Sequence, residues 1–183
     1  HLTLPLNLEM AATPEMQAIA LRHRPHAVCI VPEKREERTT EGGLDVAGNE
    51  AMLADFIAPL REAGCRVSLF IGHEPAQIEA AARIGAAVIE LHTGTYCDLH
   101  TENRVSARDA ELAALREGAA RAARLGLEVH AGHGLTFDSV GPVAAIPQLA
   151  ELNIGHFLIA ESVFLGLSGA IREMRRCMDA ARP

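Results

Sequence analysis

Acidic and imidazole side chains recur in this sequence at the ends of short apolar segments. Glu9 is embedded in LNLEMA, Glu90 and His92 in IELHTG, and His130 and His133 in VHAGHG. A carboxylate among apolar neighbours is costly to bury unless it is paired or opens onto a wet pocket, and its proton affinity rises. Glu9 therefore reads as a general acid or base suited to neutral pH, against the plainer reading of a strand-end Glu bound to backbone or Arg. Glu90 and His92 are two residues apart, so on a strand they share a face. Glu90, flanked by Ile89 and Leu91, is the more telling of the two; His92 suits a structural role as well as a catalytic one. His133 stands between Gly132 and Gly134, where the backbone can approach a ligand closely.

A second set of residues suggests an anion site. In NIGHFLIAES, a short helix can start directly after Gly155, and the free N–H groups of a helix start favour negative charge. Gly134 with Gly155 and His156 would then cradle a phosphate, the competing reading being a tight turn that binds nothing. Glu9, Glu90, His92, His130 and His133 could alternatively hold a divalent ion, which would make a metal-dependent aldolase or epimerase acting on a sugar phosphate the alternative. The sequence contains no HExxH, Walker loop, GxGxxG or GxSxG, and Cys97 in TYCD has no visible relay partner.

Composition narrows the field. Aromatic residues are only 3% of the 183, with no Trp and one Tyr, which leaves hardly any stacking platform for single-stranded nucleic acid. The formal charge of −7, from 17 Lys and Arg against 24 Asp and Glu, repels nucleic acid and anionic membrane. Cys29, Cys65, Cys97 and Cys177 form neither a CxxC pair nor a disulfide framework, and Cys29 reads as core. A reduced, cytoplasmic setting fits, with no apolar run long enough to span a bilayer.

The elements that must position these residues alternate regularly. Strands are expected at 5–10, 27–31, 66–71, 87–92, 127–132 and 152–155. Helices are expected after Thr13-Pro14 and over about 49–63, 74–84, 106–125 and 162–180, several of them closed by a glycine. Repeated strand–helix units imply a parallel sheet with right-handed crossovers. Two long polar stretches, 32–43 and 92–103, follow strand ends, whereas the links into strands are tight. This asymmetry is that of a (β/α)8 barrel, which keeps its chemistry at the C-terminal ends of its strands. The expectation is a single α/β domain over residues 1–183, a TIM barrel with six of its eight strands visible. Two further βα units are expected ahead of residue 1.

The segments NLEMA, VPEKREERTTEGGLDVAG, VSLFI, ELHTGTY, AGHGLT and ELNIGHFLI together resemble the pyridoxine 5′-phosphate synthase family, also called PdxJ, from Leu6 onward. That resemblance implies a TIM barrel with extra helices in an octamer built from dimers, and no cofactor or metal. It implies condensation of 1-deoxy-D-xylulose 5-phosphate with 3-amino-2-oxopropyl phosphate to pyridoxine 5′-phosphate, inorganic phosphate and water. It makes Glu9 a general base and His133 the general acid, and puts Glu90 in the pocket with a less settled role. Gly134 and the pair Gly155–His156 would hold the amino-ketone phosphate, and Thr39 would contact the deoxyxylulose phosphate. The 32–43 loop, with its Gly-Gly pair, could close over the pocket. The family's first two strands carry further histidines and an arginine that have no counterpart in this sequence. SLFIGHE at 68–74 departs from the family's usual SLFID, which reads as variation at the rim.

Overall fold

The computed structural model describes residues 3–37, 39 and 42–182. Six parallel strands form one curled sheet in strict sequence order. They are β1 (Asn7–Met10), β2 (Ala27–Ile30), β3 (Arg66–Ile71), β4 (Val88–His92), β5 (Glu128–Gly132) and β6 (Leu149–Asn153). The eight helices among the described residues are α1 (Pro14–His23), α2 (Glu50–Glu62), α3 (Pro75–Arg83), α4 (Gly94–Thr101), α5 (Val105–Arg124), α6 (Val140–Ala144), α7 (His156–Leu165) and α8 (Leu167–Ala180). Sequential order in a parallel sheet is the arrangement of a β/α barrel, and the curl is that of part of one.

The strand alternation divides the sheet into two chemically opposite faces. Met10, Val28, Ile30, Leu69, Ile71, Ile89 and Leu91 are buried against the helical layer, where Leu53, Ile57 and Leu60 of α2, Ile78 of α3 and Leu115 of α5 meet them. Each such side chain contributes roughly 1.5–3 kcal/mol on burial, and this layer holds the sheet together. The concave face is polar instead. The register sets Glu9 beside Cys29, Cys29 beside Ser68, Phe70 beside Glu90, Glu90 beside His130 and Gly132 beside Asn153. Lower on this face, Arg66 and Glu128 form an ion pair at 3.0 Å, and Glu128 takes a second bond from His130 at 2.8 Å.

The helix boundaries follow local chemistry. Thr13 caps α1 by accepting from the Met16 amide, with Pro14 in the first turn. α2, α3 and α5 begin and end within a residue or two of their expected limits. Three expectations need correction. The stretch 92–103, read as an irregular excursion, contains α4, whose Thr, Gly and Asp content hides helical periodicity. The last strand begins at Leu149 rather than 152 and ends at Asn153, after a register shift between Val129 and His130. The single last helix over 162–180 is two helices, broken at Gly166, whose φ of +70° a helix cannot continue through. No helix among the described residues is long and apolar enough to cross a membrane.

Candidate active site

All six βα turns open at the same end of the sheet, because every strand is parallel. There a cleft of about 980 Å³ is lined by Glu9 and Asn7 from β1, Cys29 from β2, Phe70 from β3, and Glu90 and His92 from β4. His133, Gly134 and Thr136 reach it from the turn after β5, and Asn153, Gly155 and His156 from the end of β6. Of the residues singled out in the sequence, Glu9, Glu90, His92, His133, Gly134, Gly155 and His156 thus meet around one space. Thr39 is not among the lining residues, although Gly42 of the same loop is. Its backbone forms a turn with Gly42 and Gly43, and its hydroxyl oxygen is buried without a hydrogen-bond partner among the described residues.

The two carboxylates, alike in sequence, take different environments. Glu9 is exposed to the cleft that it lines. The desolvation anticipated for Glu9 falls on Glu90, which is only 7% exposed at the middle of the sheet. Burial pushes the Glu90 carboxyl up to about 7, with the negative charges of Glu9 and Glu151 adding to it. Asn153 Nδ2 donates to Glu90 Oε2 at 2.7 Å and the Cys29 thiol donates to the same oxygen at 3.6 Å, both opposing the rise. Gly132 is required beside this group, since a β-carbon there would collide with Glu90 Oε1 and lie 2.7 Å from the Asn153 carbonyl oxygen. Cys29, read as core, proves to be a buried member of the site, with its own thiol pushed up by burial and by Glu90.

Asn153 was not singled out in the sequence, where a strand-end Asn is unremarkable; its partner lies 63 residues away. Removing its amide should strengthen the hold of Glu90 on its proton. In Asn153→Ala the Glu90 titration, followed by carboxyl carbon NMR, is expected to move above its wild-type midpoint near 7. A midpoint that stays or falls would show that the Asn153 bond does not govern it.

His133 occupies an unusual backbone position. Its φ is +82° and that of Gly134 is +84°, so two successive residues take the left-handed conformation. For a residue with a β-carbon this costs roughly 1–2 kcal/mol. Two bonds from Thr93 lie on this turn: Thr93 N donates to Gly132 O at 2.8 Å, and Thr93 Oγ1 lies 2.6 Å from both Gly132 O and His133 O. At about 0.5–1.5 kcal/mol each, such bonds are of the size needed to offset the strain. The His133 ring stacks on His92 with centroids 5.1 Å apart and planes 22° apart, and Phe70 meets His92 edge-on at 5.0 Å. His92 therefore supports its neighbour at the cleft wall.

The five side chains weighed as metal donors do not all face the cleft. His130 is turned down the concave face to Glu128, with Glu151 at 3.7 Å from its other ring nitrogen, and it does not line the cleft. No group of three or more candidate ligands occurs among the described residues. At the rim, where SLFIGHE departs from the usual pattern, His73 pairs with Glu111 of α5 at 3.1 Å. His156 opens α7, with Gly155 as its exposed N-cap and open space where a β-carbon would stand. Gly155 and His156 thus bring the start of α7 to the cleft.

The sequence matches over residues 1–180 the family described as "Pyridoxal phosphate biosynthesis protein PdxJ". The chain belongs to the PdxJ family. It is 73% identical over 181 residues to a pyridoxine 5′-phosphate synthase of Roseobacter denitrificans, covering 99% of this chain and 73% of that protein. Identity is 70% to the synthase of the same name in Cereibacter sphaeroides and 63% to that of Rhodospirillum rubrum, covering 99% of this chain and 72% of each relative. Among solved structures, a xylose isomerase domain protein from Planctomyces limnophilus superposes with a TM-score of 0.57 at 15% identity, covering 94% of this chain and 70% of its own. A HpcH/HpaI aldolase/citrate lyase family protein from Burkholderia cenocepacia gives 0.56 at 16%, covering 97% and 77%. These distant likenesses show the fold alone. Membership in the PdxJ family agrees with the segments that suggested it.

Proposed function

We propose that this chain acts as a pyridoxine 5′-phosphate synthase, joining 1-deoxy-D-xylulose 5-phosphate to 3-amino-2-oxopropyl phosphate and closing the pyridine ring with release of phosphate and water. The observation that carries this reading is the convergence, in a member of the PdxJ family, of two carboxylates, three imidazoles and the glycines Gly134 and Gly155 around one cleft. Imine formation and successive dehydrations need protons taken from and returned to several atoms, so acid and base must face one bound substrate. In this scheme Glu9, exposed and able to approach a substrate, is the general base, and His133, lining the same cleft, is the general acid. Glu90, poised near neutrality, can hold a proton or share one with a developing charge. The amides of Gly134, Gly155 and His156 grip the phosphate of the amino ketone, and Thr39 contacts the deoxyxylulose phosphate.

The same reading extends to architecture. Two more βα units, closing β1 to β6, would make an eight-stranded barrel. The relatives' greater length supports this, as do the large apolar side chains left exposed on α7 and α8, Val163 at 80% and Phe164 at 83% among them. We further infer a homo-oligomer built from dimers and a cytoplasmic setting, the latter in keeping with four free cysteines. The test is to incubate the purified protein with both phosphorylated substrates. Pyridoxine 5′-phosphate should form in step with inorganic phosphate, each only when both substrates are present. Its absence from a preparation whose intact mass includes the completing units would defeat the reading.

A further inference from the structure

We infer that Thr93 is a positioning residue whose hydroxyl orients the His133–Gly134 peptide, so that the imidazole and the Gly134 amide are presented to the same cleft. The inference rests on the acid and phosphate-binding roles proposed above for those two residues. Thr93 is fully buried and stands at the N-cap of α4, where a threonine ordinarily turns its hydroxyl onto its own helix. Here it makes no capping bond. Its oxygen instead lies 2.6 Å from each of two carbonyls on the neighbouring turn, those of Gly132 and His133.

A hydroxyl has one proton to give, and the two acceptors are not equivalent. Gly132 O already receives the Thr93 backbone N–H at 2.8 Å. Among the described residues His133 O receives otherwise only the weak thiol donor of Cys97 at 3.6 Å. The hydroxyl proton is therefore most needed at His133 O. Pinning that oxygen inward has a consequence across the peptide plane. No peptide of the described chain is cis, so the Gly134 N–H points away from the His133 carbonyl, outward from Thr93 and Cys97. The left-handed φ of His133, +82°, sets the side chain in the cleft wall while its carbonyl is held inside. The adjacent His92 supports the same residue from the ring side through the 5.1 Å stack. Thus the junction of β4 and α4 holds the acid residue by its backbone and by its ring, using the consecutive side chains of Thr93 and His92. A β-carbon at Gly134 would stand 3.0 Å from Cys97 Cβ, so the turn is built for glycine at the position whose amide follows the pinned carbonyl.

The experiment uses the intact enzyme and compares Thr93→Val, which keeps the shape and removes the hydroxyl, with Thr93→Ser, which keeps the hydroxyl. Thr93→Val should lower kcat by roughly 10²-fold, the scale of a misplaced reacting group, with its unfolding midpoint within a few degrees of wild type. Its affinity for inorganic phosphate, read from the Gly134 amide resonance during titration, should fall by about tenfold, one hydrogen bond's worth. Thr93→Ser should stay close to wild type in both. Wild-type kcat and phosphate affinity in Thr93→Val would overturn the inference. So would a folded Thr93→Ser as impaired as the valine variant, a result that remains decisive if Thr93→Val fails to fold. If the wild-type enzyme makes no product, the proposed synthase function fails, while the amide titration still tests Thr93 by itself.

Discussion

His133→Asn should reduce turnover by about 10²–10⁴-fold, the range supplied by one general acid–base group, while the protein stays folded. Asparagine is the informative replacement because His133 has a φ of +82°, and Asn is among the few residues with a β-carbon that enter the left-handed region readily. The backbone turn that carries Gly134 is thereby preserved, and the loss reports the imidazole alone. Glu9→Gln should produce a loss of similar size, since Glu9 lines the same cleft and the amide keeps its shape without its basicity. The two losses should not multiply in the double variant, because both groups act on the same sequence of proton transfers. The measurement is kcat for pyridoxine 5′-phosphate formation, with circular dichroism to check folding. Near-normal rates in either single variant would remove that residue from the chemistry.

Glu90→Gln should cost activity and increase stability, and the stability gain should depend on pH. The Glu90 carboxyl titrates near 7 in the folded protein, against about 4.3 in an unfolded chain. Below the lower value it is protonated in both states, and its burial carries no charge penalty. Between the two values the unfolded chain loses its proton first, so stability falls as pH rises, and above about 7 the full penalty is in place. Glutamine never ionises and can still accept the Asn153 N–H. The variant should therefore unfold at nearly the wild-type temperature at pH 4 and several degrees higher at pH 8, on a scale of about 2–4 °C per kcal/mol. The same substitution should remove from the pH–rate profile the limb that lies near 7. A stability difference that is constant across this range would mean that Glu90 is not the desolvated group the geometry makes it.

Much of the fold was readable because it is written in local signals. Gly64, Gly85 and Gly126 end helices with φ between +82° and +88°, where the sequence placed their termini. Apolar strand cores followed by polar turns implied a parallel sheet, and parallel strands necessarily deliver their C-terminal residues to one rim. The meeting of Glu9, Glu90, His133, Gly134, Gly155 and His156 at one cleft follows from that direction alone. α4 and the break at Gly166 escaped notice because neither carries a clear apolar period.

What only the tertiary structure decided is the environment of each group. Glu9 and Glu90 look alike in sequence, each a carboxylate among apolar neighbours, yet one is exposed to the cleft and the other is enclosed by β3 and β5. Cys29, Asn153 and Thr93 gain their parts from partners 61, 63 and 40 residues distant. Periodicity along a chain reports which face a side chain takes. Solvation, proton affinity and the aim of a peptide depend on what the neighbouring strands bring to that face, and packing alone supplies those neighbours.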